Sequence, residues 1–144
     1  MARLMRAAGI TGICHRRKRG RDRPLPAPHD DLVQRRFLAE APDQLWATDI
    51  TEHPTASGKV YCCAVIDAYS RMIVGWSIAD HMRTELVVDA LQMATWRRQP
   101  GPGSIVHSDR GSQYTSWVFR HRLREAGLLG SMGRVASSVD NTMI

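Results

Sequence analysis

The chain has 144 residues, 43% of them apolar and 24% charged, with a formal net charge of +6. That is one domain of ordinary size; it can bury roughly 68–70% of its unfolded surface, so it needs no disulfide or metal staple, and its composition excludes wholesale disorder. The longest uncharged apolar run, Val60 to Ile66, is too short to span a bilayer, and an N-terminus broken by Arg3, Arg6 and Gly9 lacks the apolar stretch of a signal peptide.

In chain order, Met1 to Ala8 reads as a helix that Gly9 could end. It is shorter than the ~12 residues at which isolated helices are marginal, so it either docks on the rest or is the remnant of an upstream domain. Residues 9–40 read as a linker, and the folded unit starts at Ala41-Pro42, dividing the chain into 1–40 and 41–144. The first 40 residues hold ten basic and four acidic side chains, and the remainder holds ten of each. The excess is densest in Arg16-Arg17-Lys18-Arg19-Gly20-Arg21-Asp22-Arg23, followed by Pro24, Pro26 and Pro28. Such a run suits an extended arm whose partner is a polyanion, because each neutralised phosphate releases counterions. The plainer reading is a solvated linker in an arginine-rich sequence: 18 of the 20 basic residues are Arg.

Leu45 to Thr51 is a short strand, and His53 to Gly58, with Pro54, Ser57 and Gly58, is a turn. Lys59 to Ile66 and Met72 to Ile78 are β-branched and aromatic and complete an antiparallel meander around a tight turn at Asp67-Ala68-Tyr69-Ser70. Thr84 to Arg98 is the best helix, with Thr84 as its cap and Gly101-Pro102-Gly103 as its stop. Its apolar stripe is Val87, Leu91 and Ala94, with Leu86 and Ala90 alongside. Ser104 to His107 is a strand, Ser116 caps a second helix with Phe119, Leu123 and Ala126 on one face, Gly127 ends it, and Leu128 to Met132 is a fifth strand. Near Asp140 a further helix could start. This order specifies an α/β fold with a mixed sheet, in which Ser104–His107 can lie parallel to Leu45–Thr51.

The candidate chemistry is carboxylate chemistry. Asp49 interrupts an apolar strand, where Asp is disfavoured, and a buried carboxylate needs a partner or a metal. Asp109 follows the strand Ser104–His107, at the strand end where α/β sheets place ligands. If the two strands are neighbours, about 4.8 Å apart, the carboxylates converge, and such a pair needs a shared proton or a divalent cation. All-oxygen ligation suits Mg2+ or Mn2+. The competing reading is that Asp49 caps a turn and Asp109 opens an Asx-turn before Gly111. Asp67 reads as a turn carboxylate rather than a catalytic one. His107 and His121 have no Cys or His at zinc spacing, and nothing orients a triad around Ser108 or Ser112. Trp46, Trp76, Trp96 and Trp117 read as core rather than as base-stacking platforms. Cys14, Cys62 and Cys63 form no disulfide framework; the adjacent pair points to opposite faces of its strand, which fits reduced thiols in a cytosolic protein.

Four strings, Leu45-Trp46-Ala47-Thr48-Asp49-Ile50-Thr51, Val65-Ile66-Asp67-Ala68-Tyr69-Ser70-Arg71, Ile73-Val74-Gly75-Trp76 and His107-Ser108-Asp109-Arg110-Gly111-Ser112-Gln113-Tyr114, are followed in order by Ser131-Met132 and Asp140-Asn141. Together, from about Phe37 to Ile144, they resemble the catalytic core of bacterial insertion-sequence transposases, in the retroviral-integrase superfamily. Met1 to Gly9 resembles the end of the helical DNA-binding region that precedes this core. The resemblance implies a ribonuclease H-like sheet with flanking helices and, for this chain, the C-terminal helix absent. It implies an Asp-Asp-Glu triad in which Asp49 bridges two metal ions and Asp109 holds one. The Glu falls at position 145, one place past Ile144 and with 35 residues between it and Asp109, so the expectation is a transposase catalytic-core fragment for DNA transposition and integration, inactive alone. The alternative is a non-catalytic DNA-binding or inhibitory module. Expected partners are DNA (transposon ends and target), a second copy or a full-length transposase, with no membrane; the expected location is the bacterial cytoplasm, at the nucleoid. Arg16, Arg17, Lys18 and Arg19 on the arm, and Arg110, Gln113 and Tyr114 beside Asp109, are the expected DNA contacts.

Overall fold

In the computed structural model, residues 29–133 are described. Three strands, β1 (Leu45–Thr55), β2 (Gly58–Asp67) and β3 (Ile73–Ala79), form the antiparallel meander. Helix α1 (Thr84–Arg98) follows, then β4 (Ile105–Ser108), the short α2 (Ser112–Thr115), α3 (Trp117–Glu125) and β5 (Leu129–Met132). The strands make one sheet in the order β3-β2-β1-β4-β5, with β4 parallel to both β1 and β5. This is the mixed sheet that the sequence specifies.

Helix α1 covers one face of the meander. Its Leu86, Val87, Ala90, Leu91 and Ala94 are buried and join Trp46, Cys63, Val65 and Val74 in the main core, to which α3 adds Phe119 and Leu123. Burial of this apolar stripe, rather than capping, holds α1: its cap position is Arg83, Thr84 is already helical, and no side chain caps it. The expected cap at Thr84 is therefore absent. The helix ends through Gln99 in the left-handed region, two residues before Gly101. Helix α3 follows the sequence more closely. Ser116 Oγ accepts from the Phe119 N–H at 3.2 Å, and Gly127 (φ +68°) closes the helix while Leu128 N–H donates to the Leu123 carbonyl and Gly127 N–H to that of Arg124, the paired bonds of a Schellman end.

Two segments differ from the sequence reading. Strand β1 runs through Pro54 to Thr55, and the turn is only Ala56-Ser57. Pro54 is tolerated because β1 pairs with β4 only over Leu45–Ala47, so beyond that its outer edge carries no neighbour needing a donor. Residues 29–40 hold no helix or strand, but they are seated on the sheet. Leu32 N–H donates to Ser131 Oγ (3.0 Å), Met132 N–H to the Asp30 carbonyl (3.3 Å), and Val33 is buried with Leu45 and Ala68 while Phe37 packs beside them. Of the four Trp, only Trp46 is core; Trp76, Trp96 and Trp117 are exposed, because they lie on an edge strand and on the outer helix faces. The expected helices at 1–8 and near Asp140, and Cys14, lie outside the described residues. Cys63 is buried and Cys62 half-buried, both as free thiols.

Candidate metal and nucleic-acid site

The register of the β1–β4 pair builds the site. Leu45, Trp46 and Ala47 stand opposite Ile105, Val106 and His107, and the same offset, carried two residues past the last paired positions, would bring Asp49 level with Asp109. Residues directly opposite on neighbouring strands share a face of the sheet. Asp109 follows the end of β4 and is exposed; Asp49 is half-buried and lies in the middle of β1, which continues to Thr55. The Asp49 carboxyl is raised from its ordinary value. Burial is the main cause, opposed by the Ile50 N–H, and the negative charge of Asp109 pushes in the same direction as burial.

The loop after Asp109 is folded tightly on it. Gly111 N–H donates to Asp109 Oδ1 at 2.8 Å, the Asx-turn that the sequence allowed. A Cβ on Gly111 would lie 2.9 Å from Gln113 Oε1 and 3.0 Å from Asp109 Oδ1, so a larger residue here would have to push those side-chain ends aside. Among the described residues no cluster of three or more His, Cys, Asp or Glu side chains could hold a metal ion.

The remaining expected contacts separate. Arg110 is exposed, and its Nε–H donates to the Gly133 carbonyl at 2.7 Å. Gln113 and Tyr114 face inward. The Gln113 amide donates to the Met82 carbonyl at 2.9 Å, tying this loop to the start of α1, and Tyr114 is 1% exposed, edge-on to Phe119. Neither side chain offers a surface to a polyanion, because both are taken up in packing the loop. Arg16, Arg17, Lys18 and Arg19 lie outside the described residues. Asp67 is the expected turn carboxylate, fully buried and accepting from Asp43 N–H, Ser70 N–H and Ser70 Oγ–H. Burial pushes its carboxyl up, but these hydrogen bonds outweigh it and leave it below its ordinary value. Thr48, which the sequence reading passed over, is buried behind the site with its hydroxyl against Tyr114; the strict alternation of Trp46, Thr48 and Ile50 against Asp49 was the signal. Grooves beside α1, one of about 430 Å3 lined by Leu91, Thr95, Trp96, Arg122 and Glu125 among others, include neither carboxylate.

Residues 39–138 match the family described as Integrase core domain. The chain belongs to that family. Integrase-core relatives include the transposase for insertion sequence element IS629 of Shigella sonnei, 44% identical over 144 residues, covering 99% of this chain and 48% of the relative. The putative transposase for IS986/IS6110 of Mycobacterium tuberculosis is 44% identical over 152 residues, covering 98% of this chain and 53% of the relative. The chain spans about half the length of these curated relatives. Among solved structures, the HTLV-2 integrase catalytic core domain in complex with magnesium superposes with a TM-score of 0.59 at 17% identity, covering 67% of this chain and 64% of that one. A chain of the simian T-cell lymphotropic virus intasome superposes with a TM-score of 0.66 at 14% identity, covering 73% and 37%. These likenesses show the ribonuclease H-like integrase-core fold. No helix among the described residues is long and apolar enough to cross a membrane.

Proposed function

We propose that this chain supplies the first two carboxylates of a transposase active site for metal-dependent phosphodiester cleavage and strand transfer on DNA. The observation that carries the reading is the β1–β4 register, Leu45–Ala47 against Ile105–His107, whose offset, carried two residues further, would bring Asp49 level with Asp109. Two like charges on one sheet face would repel; the Asp49 carboxyl is raised mainly by burial, and the Asp109 charge adds to it in the same direction. Asp49 and Asp109 would serve as ligands to a divalent cation, Mg2+ or Mn2+, which would supply activation of a water or 3′-hydroxyl and stabilisation of the leaving oxygen. Arg110 at the rim and the arm residues Arg16, Arg17, Lys18 and Arg19 hold the DNA backbone of transposon ends and target. The basic arm 1–40 and the core 41–144 divide these tasks, and the setting is the bacterial cytoplasm at the nucleoid.

The third carboxylate implied by the family resemblance would stand at position 145. A polypeptide of 144 residues is therefore expected to show strand transfer at or near background in Mn2+, and a longer protein carrying that Glu is expected to be active. Turnover by the 144-residue polypeptide would overturn this part of the reading. The test of the whole is paired. Asp49→Asn and Asp109→Asn in the longer protein should abolish metal-dependent cleavage while leaving salt-dependent DNA binding intact. Neutralising Arg16, Arg17, Lys18 and Arg19 should flatten the dependence of log K on log salt by about 3 to 4 if all four neutralise phosphates. A second reading, a DNA-binding or inhibitory module that pairs with full-length transposase, rests on the basic excess of residues 1–40, ten basic to four acidic side chains. It predicts that adding the 144-residue chain lowers the activity of a full-length relative, an effect that the arm substitutions should remove.

A further inference from the structure

Behind the carboxylates, on the opposite face of the sheet, three small polar groups close a triangle. Strand alternation turns Thr48 away from Asp49 and into the core, where its Oγ1 lies 3.3 Å from Tyr114 Oη and 3.5 Å from Cys63 Sγ, and Tyr114 Oη lies 3.7 Å from Cys63 Sγ. All three side chains are buried, at 4%, 1% and 0% exposure. Tyr114 stands five residues after Asp109, at the end of the loop that Gly111 folds onto the carboxylate. Thr48 immediately precedes Asp49. The triangle therefore joins the loop that carries one carboxylate to the strand that carries the other, across β1 and β2.

We infer that the hydroxyls of Tyr114 and Thr48 are a positioning pair that sets the separation of the Asp49 and Asp109 carboxylates. The inference rests on the reading that those carboxylates hold a divalent cation. The contacts are long for hydroxyl pairs, but burial makes each partner hard to replace: a hydroxyl that loses its neighbour here has no solvent to turn to. Burial also drives the Tyr114 phenol well above its ordinary titration range, so it keeps a proton to donate. The Tyr114 ring, edge-on to Phe119 with centroids 5.3 Å apart, anchors the loop whether or not the hydroxyl is present, so the hydroxyl can be removed without removing the packing.

The experiment is a Mn2+ titration of the 144-residue chain labelled with 13C at Asp side-chain carboxyls, reading paramagnetic broadening of Asp49 and Asp109. Tyr114→Phe and Thr48→Val should each raise the Mn2+ concentration for half-broadening about fivefold, the worth of one hydrogen bond, and the double variant should be no worse than either alone. Thr48→Ser keeps a hydroxyl and should stay near wild type. Gly127→Ala destabilises the left-handed end of α3 without touching the triangle and should leave the Mn2+ concentration unchanged, which separates positioning from mere stability. Unchanged half-broadening in Tyr114→Phe, with Mn2+ binding intact in the wild type, overturns the positioning pair alone. Absence of broadening at either carboxylate in the wild type overturns the metal reading and this inference with it.

Discussion

At the scale of single residues, Asp49 concentrates the conflict between folding and function. Its carboxyl is raised by burial and by the charge of Asp109, against the Ile50 N–H. An acid whose folded-state pKa exceeds its unfolded value stabilises the fold while protonated, and that contribution is lost as pH rises through the raised value. At neutral pH the ionised Asp49 therefore weakens the fold. Asp49→Asn is expected to melt a few degrees above wild type at pH 7, with the gap closing below about pH 4, where an ordinary Asp is protonated as well. Thermal melts across that range check the sign; equal melting at pH 7 contradicts it. Asp109→Asn removes the charge that adds to burial in raising Asp49, so Asp49 should titrate at lower pH in that variant, read by carboxyl NMR. Asp49 stands out in sequence because Asp inside an apolar strand is disfavoured and demands a reason, whereas Asp109, at a place where Asp commonly turns the chain, stands out only through the motif around it. Gln113 and Tyr114 are less so: their polarity suggests a surface role, yet nothing local to a loop says which way a side chain turns. The Met82 carbonyl and Thr48 hydroxyl that receive them come from distant parts of the chain.

At the scale of elements, the β3–α1 contact is the tightest in the described structure's glycine set. A Cβ at Gly75 would lie 2.3 Å from the Ala90 carbonyl oxygen and 2.6 Å from the Ala94 nitrogen. These are backbone atoms in a helix, so no rotamer change relieves the clash, and α1 would have to move off the sheet. Gly75→Ala is expected to cost about 3 kcal/mol or more, at the upper end of overpacking, seen as a lowered urea midpoint. The small Ala90 and Ala94 are the complement that admits the glycine. By contrast Ser116→Ala should cost about 1 kcal/mol, the usual worth of an N-cap, by the same measurement. Element identity and order are legible because strands and helices here keep clean periods of apolar residues. What escapes is contextual. Pro54 reads as a turn until β4 is seen to stop short of it, and residues 29–40 read as linker because their seat on β5 and β1 depends on two apolar side chains, Val33 and Phe37, and on backbone bonds.

At the scale of the whole molecule, the sheet's two faces are unequal. Helix α1 and α3 close one of them, whereas on β3 Ile73 and Ile78 remain 53% and 57% exposed, standing opposite the half-buried Ile66 and Cys62 of β2. A row of apolar side chains shared between adjacent strands and open to solvent is a surface for association. The native 144-residue chain is therefore expected to bind a hydrophobic dye or to self-associate. The double substitution Ile73→Thr, Ile78→Thr keeps β-branched side chains suited to a strand and removes apolar area that the fold does not bury, so it should cut the dye signal by about half while shifting the melting temperature little. Dye binding that survives the double substitution would place the apolar surface elsewhere, with the exposed Trp96 on α1 (79%) as the next site to alter. A clean monomer with a sharp transition and no dye signal would mean that this row is shielded in solution, and that the open face of the sheet does not govern how the chain behaves.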